Sequence, residues 1–282
     1  MIVDAHHHLW DPVARRHAWL DGLPPLRRSF GLADYAAAAP EQVTGSVLVQ
    51  VLASTQETEE FLALAASTAG ACPEVAGVVG WADLAGDDVG AQLACLRARP
   101  GGDRLVGIRH LVQDEPDPDW LGRPDVRRGI RAVGAAGLAF DLLVRPAQLP
   151  AAVRLADELD SVRFVLDHGG KPEIAAARAE PWAGLIGRLG RLPNVACKLS
   201  GLVTEARPSW QPEEFLPYVD RMLEAFGPGR LMFGSDWPVC TLAASYAQVT
   251  ALARELLEPR LSPAERDAVF YASAIATYRL KL

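Results

Sequence analysis

The sequence predicts an α/β protein folded as one (β/α)8 barrel, and three observations carry that reading. Eight short apolar runs recur along the chain, Ala/Leu/Arg/Glu-rich stretches of helical character separate them, and no Gly-rich phosphate loop follows the first run. Eight strands, each followed by a crossover, is the number a closed parallel barrel needs, whereas an open doubly wound sheet would usually show such a loop after its first strand.

The elements follow in order. Ile2 to Ala5, Ser46 to Val51, Val75 to Trp81, Leu105 to Arg109, Leu138 to Val144, Val162 to Leu166, Val195 to Leu199 and Leu231 to Phe233 are short β-branched or apolar runs, as strands covered on both faces require. Between them Thr55 to Ala71, Asp87 to Ala98, Asp125 to Ala136, Pro146 to Leu159 and Glu213 to Ala225 read as helices. A closing helix is expected over Ser262 to Tyr278, because Ser262 can cap it, Pro263 suits its first position and Glu265 completes a capping box. Two connections, Leu9 to Ala33 and Leu202 to Pro212, are too long for simple turns and are expected to form lids or pocket walls.

With 282 residues, 50% of them hydrophobic and 22% charged, the chain can bury a large core, and residues 1–282 are expected to form a single domain. A net charge of −7 without a dense Lys/Arg run gives no support to a nucleic-acid or anionic-membrane surface. No run reaches the ~18 apolar residues of a membrane span. Four scattered cysteines, Cys72, Cys95, Cys197 and Cys240, show no CxxC spacing and suit a reducing, cytoplasmic setting. The expected partner is a small molecule, and the composition is compatible with a homo-oligomer.

The strongest chemical signal is Asp4-Ala5-His6-His7-His8 at the end of the first strand. Alternate strand residues share a face, so His6 and His8 project together while His7 points away. In βα barrels the C-terminal strand ends carry the active site. Three more strand ends add polar groups to that rim: Arg109-His110, Asp167-His168 and Ser235-Asp236. His6, His8, His168 and Asp236 offer an imidazole and carboxylate set suited to one zinc ion with a position left for water. Asp236 could then take a proton from attacking water and return it to a departing alkoxide, which is ester or lactone hydrolysis. Without a metal, the three histidines could instead hydrogen-bond the developing oxyanion, with Asp236 still the base. Both versions stay open at this point. Arg109, His110 and Lys198 are candidate substrate contacts, with a structural ion pair to Asp141 or Asp167 as the equal alternative for Arg109. Trp10, Trp81 and Trp237 stand at or near strand ends, where a flat ring could pack on a sugar. No Gly-x-Ser-x-Gly elbow is present, which sets acyl-enzyme chemistry aside.

Five ordered segments carry a resemblance: Asp4 to Trp10, Gly107 to His110 with Gln113 to Pro116, Leu166 to Pro172, Lys198 to Leu202, and Phe233 to Pro238. Together they resemble the amidohydrolase superfamily, in the amidohydrolase-2 group that contains sugar lactonases acting on L-fucono- and L-rhamnono-lactones, and the similarity runs nearly end to end. The resemblance implies a somewhat distorted (β/α)8 TIM barrel. It carries the first-strand histidine pair onto His6 and His8, the middle-strand histidine onto His168 and the general base onto Asp236. No lysine that could be carbamylated to bridge two metals stands at the fourth strand end, so one ion rather than two is implied. The group also includes members that work without metal and members that decarboxylate, so the implied lactonase has two rivals: a zinc-dependent decarboxylase, and a catalytically silent binding protein on the same fold.

Overall fold

The computed structural model describes residues 1–282. Its eight strands are β1 (Ile2–His7), β2 (Val43–Val49), β3 (Glu74–Gly80), β4 (Leu105–His110), β5 (Ala139–Leu142), β6 (Arg163–Leu166), β7 (Val195–Leu199) and β8 (Leu231–Phe233). They pair in sequential order, each parallel to the next. Just beyond β8 the barrel is drawn shut against β1, where Asp236 N donates to His6 O at 2.8 Å and His8 N donates to Trp237 O at 2.7 Å. The expected (β/α)8 architecture is thus observed, with strand ends displaced by at most a few residues.

Helices α1 (Leu32–Ala38), α2 (Thr55–Ser67), α3 (Val89–Arg97), α4 (Pro124–Ala135), α5 (Leu149–Glu158), α6 (Trp182–Gly190), α7 (Leu216–Phe226) and α8 (Tyr246–Leu257) follow the strands in turn. The composition did not single out α1, α6 or α8. For α6 the reason is plain: three glycines in nine residues depress its intrinsic propensity, and burial of Trp182, Ile186 and Leu189 against neighbouring elements overrides it. The closing segment is α9 (Pro263–Asp267), one π-helical turn at Ala268–Ala272 and α10 (Ser273–Tyr278). Its start has the expected capping box, with Ser262 N donating to Glu265 Oε2 at 2.8 Å and Glu265 N donating to Ser262 Oγ at 3.4 Å.

Two apolar clusters hold these layers. The larger lies between strands and helices. The smaller fills the barrel itself mostly with short side chains, among them Val3, Val47, Val79, Val106 and Val165, together with Met232, and is completed from below by Ala274, Tyr278 and Leu280 of the closing segment. Small interior residues at the base leave the C-terminal strand ends free to hold polar groups. No helix is long and apolar enough to cross a membrane, and all four cysteines are free.

Candidate active site

The site begins with an irregularity in β1. Asp4 pairs with Ser46 and His7 with Leu48, so β1 spends one residue more than β2 over the same span. This bulge is held by Asp4, whose Oδ1 accepts the N–H of His6 at 3.1 Å and that of Ser235 at 2.8 Å. His6 and His8 therefore both turn inward, although Val3 and Ala5 already occupy the interior below them. His7 turns outward, 3.0 Å from Ser46 Oγ and stacked on Tyr35.

His8 Nδ1 lies 2.8 Å from the carbonyl of Val49, so Nδ1 carries the proton and Nε2 presents a lone pair. That lone pair is 3.0 Å from His6 Nε2. Asp236 Oδ1 lies 3.5 Å from His8 Nε2, 3.8 Å from His6 Nε2 and 4.0 Å from His168 Nε2. The other nitrogen of His168 is 2.9 Å from Ser200 Oγ. The structure thus brings together all four residues proposed from the sequence as the metal and catalytic set. His168 (φ 53°) and Asp236 (φ 56°) are both left-handed, a conformation costing a non-glycine residue about 1–2 kcal/mol and concentrated at functional sites. Close approach is enforced by glycine: a Cβ on Gly201 would stand 2.5 Å from His168 Nδ1, and one on Gly234 2.7 Å from His6 Cβ.

Beneath this set is a buried ionic layer. Arg109 donates to Asp167 Oδ2 at 3.0 Å, to Gln50 Oε1 at 2.9 Å and to the Gln50 carbonyl. Lys198 Nζ sits 2.7 Å from Asp141 Oδ2, 2.9 Å from Asp167 Oδ1 and 3.1 Å from His6 Nδ1. Tyr278 donates to Asp141 Oδ2 at 2.6 Å from below. Two cations and two carboxylates balance, as buried charges must. Burial would raise the Asp167 carboxyl, but Lys198, His6 and Arg109 bring it well below the usual range. Asp141, where burial prevails over Lys198, is raised to about 6. Burial pushes His168 down to about 4 against the pull of Asp236 and Asp167, and depresses His6 strongly with Lys198 adding to the effect. Asp236 is held low because His168, His8 and Lys171 outweigh its burial. Near neutral pH the site therefore holds His6 and His168 as neutral imidazoles near an ionised Asp236.

Above the set opens a cleft of about 330 Å³. His8, His168, Asp236 and Arg109 form its floor, and Arg109 is at once an ion-pair partner of Asp167 and a cleft residue. The remaining expected substrate contacts lie elsewhere. Lys198 is fully buried and its amine is spent on Asp141 and Asp167. Trp10 is buried against Trp19 and Phe30 and donates to Leu26 O, fixing the loop after β1. Trp237 packs on Phe30 and Tyr35. Trp81 donates to His110 Nδ1 at 3.2 Å, and His110 binds Glu115 and stacks on Trp120, a self-contained cluster outside the cleft wall. The walls come instead from the two long connections, through Trp19 and Leu23 of one and Thr204 of the other, and from Gln113, Asp114, Arg145 and Lys171. Sequence reasoning missed these as contacts because they lie several residues beyond strand ends; Gln113, Asp114 and Lys171 did stand in recognised segments.

The Amidohydrolase family profile matches residues 3–280. Two curated relatives, L-fucono-1,5-lactonases of Burkholderia ambifaria and Burkholderia multivorans, are 38% and 37% identical over 99% of this chain and 95% and 96% of their own lengths. A crystal structure of a B. multivorans amidohydrolase with bound zinc superposes over the whole of both chains with a TM-score of 0.92 at 36% identity. On its sequence and its fold, this chain belongs to the amidohydrolase family.

Proposed function

We propose that this protein is a sugar-lactone hydrolase that opens the ester bond of an aldonolactone by attack of water, with one zinc ion held by His6, His8, His168 and Asp236. The observation that carries the reading is the convergence of three imidazole nitrogens on one carboxylate oxygen at the floor of a cleft. Separations of 3.0–3.8 Å among His6 Nε2, His8 Nε2 and Asp236 Oδ1 bracket the about 3.3 Å expected between ligands of a tetrahedral zinc site, and His168 Nε2 lies 4.0 Å from Asp236 Oδ1. The full-length relatives named as fuconolactonases, and the zinc in the related crystal structure, support the same choice.

Bound there, zinc supplies Lewis-acid polarisation of the carbonyl and eases the deprotonation of water. The chain's own residues do the rest. Asp236, ionised at neutral pH, accepts the proton of water as its oxygen bonds to the lactone carbon, and returns it to the ring oxygen as the C–O bond breaks. His168, kept neutral by burial, adds no competing charge, and Arg109 lines the cleft with a guanidinium already fixed by Asp167 and Gln50.

The test pairs metal analysis with acid release from a panel of aldonolactones, before and after chelation, on the wild type and Asp236→Asn. Stoichiometric zinc whose removal stops acid release is expected. Asp236→Asn should lose about 10²- to 10⁴-fold in kcat/KM while unfolding normally, since asparagine tolerates the left-handed backbone. Near-normal turnover by that variant would refute the base. Carbon dioxide release from an unsaturated acid, without lactone opening, would replace the reading by decarboxylation.

A further inference from the structure

We propose that Lys171 is a specificity-determining residue that reads the ring hydroxyls of the lactone; the assignment rests on the lactonase reading of the same site. The backbone supplies the first reason. His168, Gly169, Gly170 and Lys171 have φ of 53°, 57°, 73° and 53°, one complete left-handed turn. Glycine accepts this conformation freely, whereas the two residues at its ends do not. Lys171 also precedes Pro172, which biases it toward extended backbone. The turn is held by Lys171 N donating to His168 O at 2.9 Å and by Trp182 Nε1 donating to Gly169 O at 2.7 Å. Both strained ends place their side chains in the cleft: His168 on the floor, Lys171 on the wall. Strain maintained at a side chain outside the ionic layer calls for a role in what the cleft holds.

The second reason is the hydrogen-bonding state of the wall. Lys171 Nζ forms an ion pair with Glu205 Oε1 at 3.2 Å, and its side chain remains 18% exposed, so its ammonium has donors left for a ligand. The Lys171 ammonium and the Glu205 carboxylate beside it, both partly exposed, offer a charged donor next to an acceptor. That pairing matches a polyol, in which each hydroxyl both donates and accepts. A site built to bind hydroxyls discriminates strongly against the analogue that lacks them.

The experiment compares an aldono-1,5-lactone with δ-valerolactone, the same six-membered ring without hydroxyls, on the wild type, Lys171→Gly and Lys171→Arg. Lys171→Gly is expected to lose about 10- to 100-fold more in kcat/KM on the hydroxylated lactone than on the bare ring, where only its weaker electrostatic effect on Asp236 is felt. Its melting temperature should be no lower than wild type, because glycine meets the left-handed backbone without strain. Lys171→Arg, which keeps a charged donor, should recover part of the discrimination. An unchanged ratio between the two lactones in Lys171→Gly, or an equal loss on both, would overturn the assignment. A wild type that opens neither lactone would remove the lactonase reading and this assignment with it.

Discussion

Glu57 lies under the corner that follows β2, where its Oε2 accepts the N–H of Val51 at 2.8 Å and of Leu52 at 2.9 Å. The same corner gives its Val49 carbonyl to His8 and its Gln50 carbonyl and side chain to Arg109, so one carboxylate anchors two arms of the site. Burial raises Glu57 from 4.5 to about 7, against the two backbone N–H groups that favour its charged form. Between those values the folded protein keeps a proton that the unfolded chain has lost, so stability falls as pH rises across the window. Glu57→Gln keeps an acceptor and removes the titration. Relative to wild type it should gain about 1–3 kcal/mol on going from pH 5 to pH 8 in denaturant unfolding. A difference independent of pH would contradict the raised carboxyl. This residue carried no signal in the sequence, because a glutamate in the first turn of a helix is ordinary until the corner folds back over it.

At the scale of elements, the seam between β1 and β8 decides whether the site assembles. Asp4 takes five donors there: His6 N, Ser235 N, Ser235 Oγ at 2.6 Å, Tyr35 OH at 3.1 Å and Tyr246 OH at 2.7 Å. Asparagine has one acceptor oxygen and would turn its NH₂ toward donors, so Asp4→Asn should cost about 2–4 kcal/mol, read from urea unfolding. Retention of wild-type stability would show that the seam is held elsewhere. The strands and the His6/His8 pair were legible because period-two alternation and apolar runs are local properties. The bulge that turns both histidines above Ala5 was not, since it exists only against the register of β2. Lys198 shows the same limit: its place at a strand end is local, whereas its depth depends on Asp141 of β5 and Asp167 just after β6.

For the whole molecule, the floor of the barrel is the unit that joins the ionic layer to the closing segment. Asp141 Oδ1 has no hydrogen-bond partner, so its Oδ2 depends on Lys198 and Tyr278. Tyr278→Phe keeps the ring and removes one donor, and should cost about 1–3 kcal/mol in urea unfolding. A loss near zero would mean that Lys198 alone satisfies the carboxylate. The capping box foretold that a helix begins at Ser262, because capping is a local arrangement. That the helix ends inside the barrel was not foretold, since nothing near Tyr278 in sequence names its distant partner.

The closing segment also sets an order in time. Synthesis proceeds from β1 toward the closing segment, so Asp141, Asp167 and Lys198 emerge well before Tyr278 and Leu280, which close the interior around them. Until that last helix is free, the base of the barrel is open to water, and the charges later sealed inside it are still hydrated. Final consolidation of the barrel thus waits for the segment through Leu280 to emerge, and the residues that permit it lie at the opposite end of the barrel from the cleft.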